Sequence, residues 1–171
     1  MKTTEPTPAD RIFPRYTRIQ FPAYRYVPGR SPHPRRDALG HSFDKEEPEP
    51  VRLDPDAWSK SIPYLHGIDL YNYAYWWEAH EAFEALWQGA DKEGQLGDMF
   101  RGLIQISASN LKRFMGAEDA FKALATRGLA RLKEMPSPWL GMDVREFEWD
   151  VVDYMSGVRS KPALIRLKMP G

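Results

Sequence analysis

At 171 residues, with 24 basic and 24 acidic side chains and zero formal net charge, the chain is long enough to bury a core of its own. It lacks the surplus of Lys and Arg that general nucleic-acid binding requires. The absence of cysteine excludes disulfides, thiolate zinc sites and cysteine nucleophiles.

Met1-Lys2-Thr3-Thr4-Glu5-Pro6 has no apolar run of the signal-peptide kind. No stretch approaches the roughly 20 apolar residues that span a bilayer. The expectation is a cytoplasmic protein that engages neither nucleic acid nor membrane. Ten of the fifteen prolines fall in residues 1–55, where they forbid helix interiors. Phe13, Tyr16, Ile19, Phe21, Tyr24, Tyr26 and Val27 make that region too apolar for a disordered tail. Residues 1–54 therefore read as an extended Pro-rich, aromatic arm packed across a helical body, and Glu46 to Pro50 as a surface connector.

From Asp54 the signals are helical. Asp54-Pro55 is an N-cap with Pro at the first helical position, opening a short turn through Trp58. A second start lies at Ser61 to Pro63, before Tyr64, Leu65, Ile68 and Tyr71 at spacings of three and four. Asn72, which tolerates positive φ, is the expected breaker there. The aromatic helix, about Tyr75 to Gln88, is stopped by Gly89. Further helices are expected over Leu96 to Met115 and Ala117 to Met135, and one from Asp143, paired with Glu146 as in a capping box, to Gly157. The fold class is thus all-α, a single bundle of about five helices over residues 55–157. Residues 158–171 form a tail in which Pro162 to Leu167 docks as a short segment.

The aromatic helix holds the conspicuous polar residues. At about 100° per residue, Trp76, Ala79, Phe83, Leu86 and Trp87 share the core face. His80 and Glu84 flank it one turn apart, Glu81 follows, and Glu78 points to solvent. Two readings compete. In one, His80 and Glu84 form a structural pair at a helix seam and the other glutamates are surface charges. In the other, His80 and Glu84 ligate a single divalent metal ion or exchange a proton, with Glu81 as general base, since His80-Glu81-Ala82-Phe83-Glu84 has zincin spacing with Glu for the second His. A metal needs further ligands. His33, Asp37 and His41 of the arm are the candidates, and their alternative is local backbone bonding in turns. His66 reads as a surface or seam residue. Asn110, within the apolar stripe of the third helix, needs a partner, and a carboxylate or imidazole of the aromatic helix would serve. Gln105 falls on a solvated face, and Gly102 allows close helix approach. No Gly-rich phosphate loop or Gly-x-Ser-x-Gly elbow occurs, so no nucleotide cofactor is indicated.

Three stretches carry a resemblance: Gly67-Ile68-Asp69-Leu70-Tyr71-Asn72, Tyr75-Trp76-Trp77-Glu78-Ala79-His80-Glu81-Ala82-Phe83-Glu84-Ala85-Leu86-Trp87, and Arg101-Gly102-Leu103-Ile104-Gln105. Over residues 62–133 the chain resembles the domain of unknown function 309 family, and its arm resembles a longer subgroup of it. The resemblance implies an all-α bundle and carries the label of a metal-dependent hydrolase. Glu78, His80, Glu81, Glu84, Gly102 and Gln105 occupy the family's motif positions. Ala74 departs from the family's usual Gly, so either the turn there is less tight or Asn72 takes the unusual backbone angles. Three functions follow: a metal-dependent hydrolase acting on a small molecule, a tetratricopeptide-like module binding a protein partner, or a structural homodimer with aromatics in its seam.

Overall fold

The computed structural model describes residues 4–171. Met1, Lys2 and Thr3, part of the segment read as leaderless, lie outside them. A 3-10 helix over Pro55–Lys60 leads into five α-helices: α1 Ile62–Asn72, α2 Trp76–Gln88, α3 Gln95–Phe114, α4 Glu118–Leu132 and α5 Val144–Ser156. No named strand occurs among the described residues, only isolated bridges Trp139–Met142 and Met142–Leu167. None of the described helices is long and apolar enough to cross a membrane.

Most boundaries have a local cause. The Asp54 carboxylate accepts from the Asp56 N–H, the Ser61 hydroxyl oxygen from Tyr64 and the Asp143 carboxylate from Glu146. These satisfy amides left free at helix starts. Gly116 and Gly157 take the left-handed backbone, at φ 84° and 82°, that ends α3 and α5. The breaker between α1 and α2 differs from expectation. Asn72 stays helical, and Ala74 takes φ 65° instead. The turn closes with the Tyr75 N–H donating to Leu70 C=O at 2.9 Å. Asn72 is needed elsewhere, since its buried side chain bonds both backbone groups of Ile165, at 2.7 and 2.8 Å.

Successive helices α1 to α4 pack on one another, and α5 packs on α4. Gly102 and Gly128 set the α3–α4 approach. A Cβ at Gly102 would lie 3.1 Å from Leu132 Cδ2, and one at Gly128 would lie 2.8 Å from Ile106 Cδ1. The core around Tyr64, Phe83, Phe100 and Leu103 also includes Val27 and Leu53 of the arm and Ala163, Ile165 and Leu167 of the tail.

The arm is fixed at one buried carboxylate. Asp69, fully buried on α1, accepts from the N–H groups of Tyr16 and Thr17 at 2.8 and 2.9 Å and from the Thr17 hydroxyl at 2.8 Å. Arg15 lies 3.5 Å away. The Val51 N–H donates to the Ala85 C=O at 2.9 Å, laying the end of the arm along α2.

Candidate functional site

Helix α2 buries Trp76, Ala79, Phe83 and Leu86 as its spacing requires, while Trp87 is only half-buried. The polar residues around this stripe divide into two groups.

Glu78 does not face solvent; it is buried. A bare helical wheel treats the side away from the bundle as water, but here arm residues cover it. Glu78 Oε1 accepts from the Tyr26 N–H at 2.8 Å and meets His41 Nε2 at 3.4 Å, while Oε2 is buried without a partner. His41 Nδ1 lies 2.8 Å from the Ser42 hydroxyl. The tautomer with Nε2–H facing Glu78 suits both contacts. Ser42, His41 and Glu78 thus form a chain of the relay type, but the amides next to the hydroxyl are already used. The N–H groups of Ser42 and Phe43 are spent on the carbonyls of Pro34 and Gly40.

Glu81 is held by Arg35 in a two-pronged ion pair, Nε to Oε1 and Nη2 to Oε2, both at 3.2 Å. Arg35 Nη1 also donates to Glu46 C=O at 3.0 Å. This geometry engages both carboxylate oxygens and ties Glu81 to the arm.

His80 and Glu84 do approach each other, with Nε2 and Oε2 3.8 Å apart and side chains 34% and 43% exposed. That is a loose contact, too long for a hydrogen bond. His80 Nδ1 is buried and unpartnered. The arm residues do not join them. His33 Nδ1 accepts from the N–H groups of Arg35 and Arg36 at 3.2 and 3.3 Å, and its ring packs edge-on to Tyr26 and Trp77. Asp37 accepts from the Leu39 N–H at 3.0 Å. Both therefore take the local backbone role, and His41 goes to Glu78.

These placements bear on the metal that the family label implies. No group of three or more His, Asp or Glu side chains among the described residues is arranged to hold an ion. A catalytic zinc takes three protein ligands and one open position. His80 and Glu84 offer two, so the donor set does not fit.

On α3, Asn110 finds neither carboxylate nor imidazole; its amide donates to the Tyr71 hydroxyl of α1 at 3.3 Å. The Asn110 side chain thus reaches past α2 to α1. Burial pushes the Tyr71 phenol far above its ordinary pKa, so it stays protonated and donates to Ala163 C=O at 2.8 Å. Gln105 is not on a solvated face. It is half-buried and its Oε1 is buried without a partner. Arg101 lies over the Trp87 ring, at 5.2 Å. Gly102 serves the α4 contact instead.

His66 is half-buried, with Nδ1 sealed and unpartnered. Burial lowers its pKa, Asp69 opposes that shift and Arg15 adds to it. The neutral ring is the favoured form in the fold. The stability it contributes is complete above the ordinary histidine value of about 6.5. That contribution is lost as pH falls below 6.5 toward the lowered folded value. Urea midpoints of the protein should therefore drop between about pH 7.5 and about pH 5, and His66→Gln should flatten that part of the drop.

The sequence reading assigned no site role to Asp69, Arg35 or Tyr26, and gave Ser42 only a local backbone role, whereas its hydroxyl meets His41. Only Asp69 carried a signal, as an acid beside the apolar residues Leu65 and Ile68 of the same helix. A groove of about 670 Å³ lies elsewhere, between the arm, α5 and the tail, and none of the candidate site residues lines it.

No curated protein matches the chain. The family match is narrower than the resemblance suggested, running from Tyr64 within α1 through α2 and α3 to the first half of α4. Residues 64–124 match the family model described as domain of unknown function (DUF309).

Proposed function

We propose that the protein is a non-enzymatic helical binding module, in which α2 carries the arm on one side and offers a polar patch to a partner on another. The use already made of the motif glutamates carries this reading. Glu78 and Glu81 are engaged by Tyr26, His41 and Arg35, which leaves His80, Glu84 and Gln105 for a partner. The His80 and Glu84 side chains are 34% and 43% exposed, and their 3.8 Å separation leaves hydrogen-bonding capacity open to a partner. Half-buried Trp87, flanked by Lys92 at 4.4 Å and by Arg101, supplies an aromatic anchor of the kind found at interfaces.

The test is affinity purification of the tagged protein and its His80→Ala/Glu84→Gln variant from the native cell. One partner in stoichiometric amount, lost in the variant, supports the module. Light scattering then distinguishes a foreign partner from a second copy of this chain.

The metal-dependent hydrolase is the second reading, favoured by the approach of His80 to Glu84. It requires stoichiometric Zn²⁺, Mn²⁺ or Fe²⁺ in the native protein that disappears on His80→Ala. A native protein that neither contains nor takes up these ions by calorimetry removes it.

A further inference from the structure

The tail after α5 contains an extended run with one edge left open. Ala163, Ile165 and Leu167 are buried, and their backbone groups face α1 and the arm. Ala163 C=O accepts from the Tyr71 hydroxyl, Ile165 pairs with Asn72, and the Leu167 N–H donates to the Tyr16 hydroxyl at 2.7 Å. Backbone groups of an extended chain alternate sides. Pro162 C=O, Leu164 N–H and C=O, and Arg166 N–H therefore point the other way, and none has a hydrogen bond among the described residues. That other side is where a ladder begins. The Lys168 N–H donates to Gly141 C=O at 2.7 Å, and Met142 bridges Leu167 in antiparallel sense. The ladder stops because the chain turns into α5 at Val144. Beside Leu164, where the next residues of a paired strand would lie, there is the groove of about 670 Å³. Ligand sites typically span about 300–1,000 Å³.

The groove carries charges of both signs; Asp143 caps α5 and Asp10 of the arm accepts from the Ile12 N–H. On the α5 side, Glu146 has no ion-pair partner among the described residues, whereas Asp150 is neutralised by Arg159 at 3.3 Å. On the tail side, Lys161 donates only to Ala9 C=O at 3.2 Å, and Arg166 lies over the Phe13 ring at 4.7 Å with no carboxylate. Phe13 and Phe147 contribute apolar lining.

We propose that this groove binds an extended peptide strand. The strand pairs its backbone with Leu164, directs an acidic side chain to Lys161 and Arg166, and directs a basic one to Glu146. An open row of backbone groups beside a side-chain groove is the arrangement used in strand addition. It favours a peptide over a small zwitterion, which would use the charges alone. The proposal lies away from α2 and does not depend on the reading of that helix.

The probe is the capped hexapeptide Thr-Glu-Val-Lys-Val-Thr, titrated into ¹⁵N-labelled full-length protein. The expected result is a shift and slowed exchange of the Leu164 and Arg166 amides, with little change on α2. The Lys161→Glu/Arg166→Glu variant should bind about tenfold more weakly or worse, through like-charge repulsion. N-methylation of the two valines should weaken binding about three- to tenfold by removing backbone donors. Absence of shifts at millimolar peptide overturns the proposal. Undiminished binding of the N-methylated peptide overturns it too, as do equal shifts from free glutamate and lysine, which indicate a small-zwitterion site. An unchanged spectrum of the charge-reversed variant outside the groove ensures that its loss of binding is not loss of fold.

Discussion

Asp69→Ala should destabilise the protein by about 3 kcal/mol or more, read as a drop in urea unfolding free energy. The carboxylate is fully buried and accepts three hydrogen bonds from Tyr16 and Thr17. Bonds to a charged acceptor contribute about 1.5–3 kcal/mol each, and removing the acceptor leaves amide donors unmet. Arg15 adds little, because its side chain is 28% exposed at 3.5 Å and water screens such a pair. Asp69→Asn should fall between the two proteins. It keeps one oxygen for a backbone N–H, but its amide nitrogen faces donors that it cannot satisfy. A loss below about 1 kcal/mol in Asp69→Ala would mean that the Tyr16–Thr17 segment finds water as readily as it finds α1.

The contrast between what could and could not be read from the sequence follows from how each feature is encoded. Helix ends were legible because their causes lie within three or four residues, such as Asp143 capping Glu146 or Gly157 in the left-handed region. The core stripe of α2 was legible because 3.6-residue periodicity is a property of the helix alone. The surroundings of its polar residues were not, because these depend on an arm without periodicity that returns from roughly fifty residues earlier. The same wheel that placed Phe83 correctly sent Glu78 into water, where Tyr26 and His41 in fact lie. Asn110 failed for a related reason. Its position within a buried stripe was right, but which neighbour its side chain reaches is a matter of helix arrangement, and the neighbour is Tyr71. Ala74 shows a local rule overridden. Asn72 suits positive φ better than alanine does, yet tertiary bonds to Ile165 hold it in the helix and pass the strained angle to Ala74.

Glu78→Ala should release the middle of the arm from α2. The substitution strips the acceptor from the buried Tyr26 N–H and leaves His41, whose side chain is only 4% exposed, facing an apolar hole. The expected cost is about 2–3 kcal/mol, and it falls first on the arm because α2 keeps its packed stripe of Ala79, Phe83 and Leu86. Trypsin reads this directly at Arg36, one residue past the partner of Glu81. Cleavage there should accelerate about tenfold for each 1.4 kcal/mol by which local opening becomes easier. Glu78→Gln should behave more mildly, since its amide oxygen can still accept from Tyr26. Glu81→Gln should be milder than Glu78→Ala, because the Arg35 pair is partly solvated, at 16% and 23% exposure. If all three variants are cut at the wild-type rate, the arm is held by its aromatic contacts, and the motif glutamates return as candidates for chemistry. If Glu78→Ala alone frees the arm while the helices stay folded, the family's motif helix acts in this chain as the anchor of its N-terminal extension. His80, Glu84 and Gln105 are then the motif residues left over for a partner.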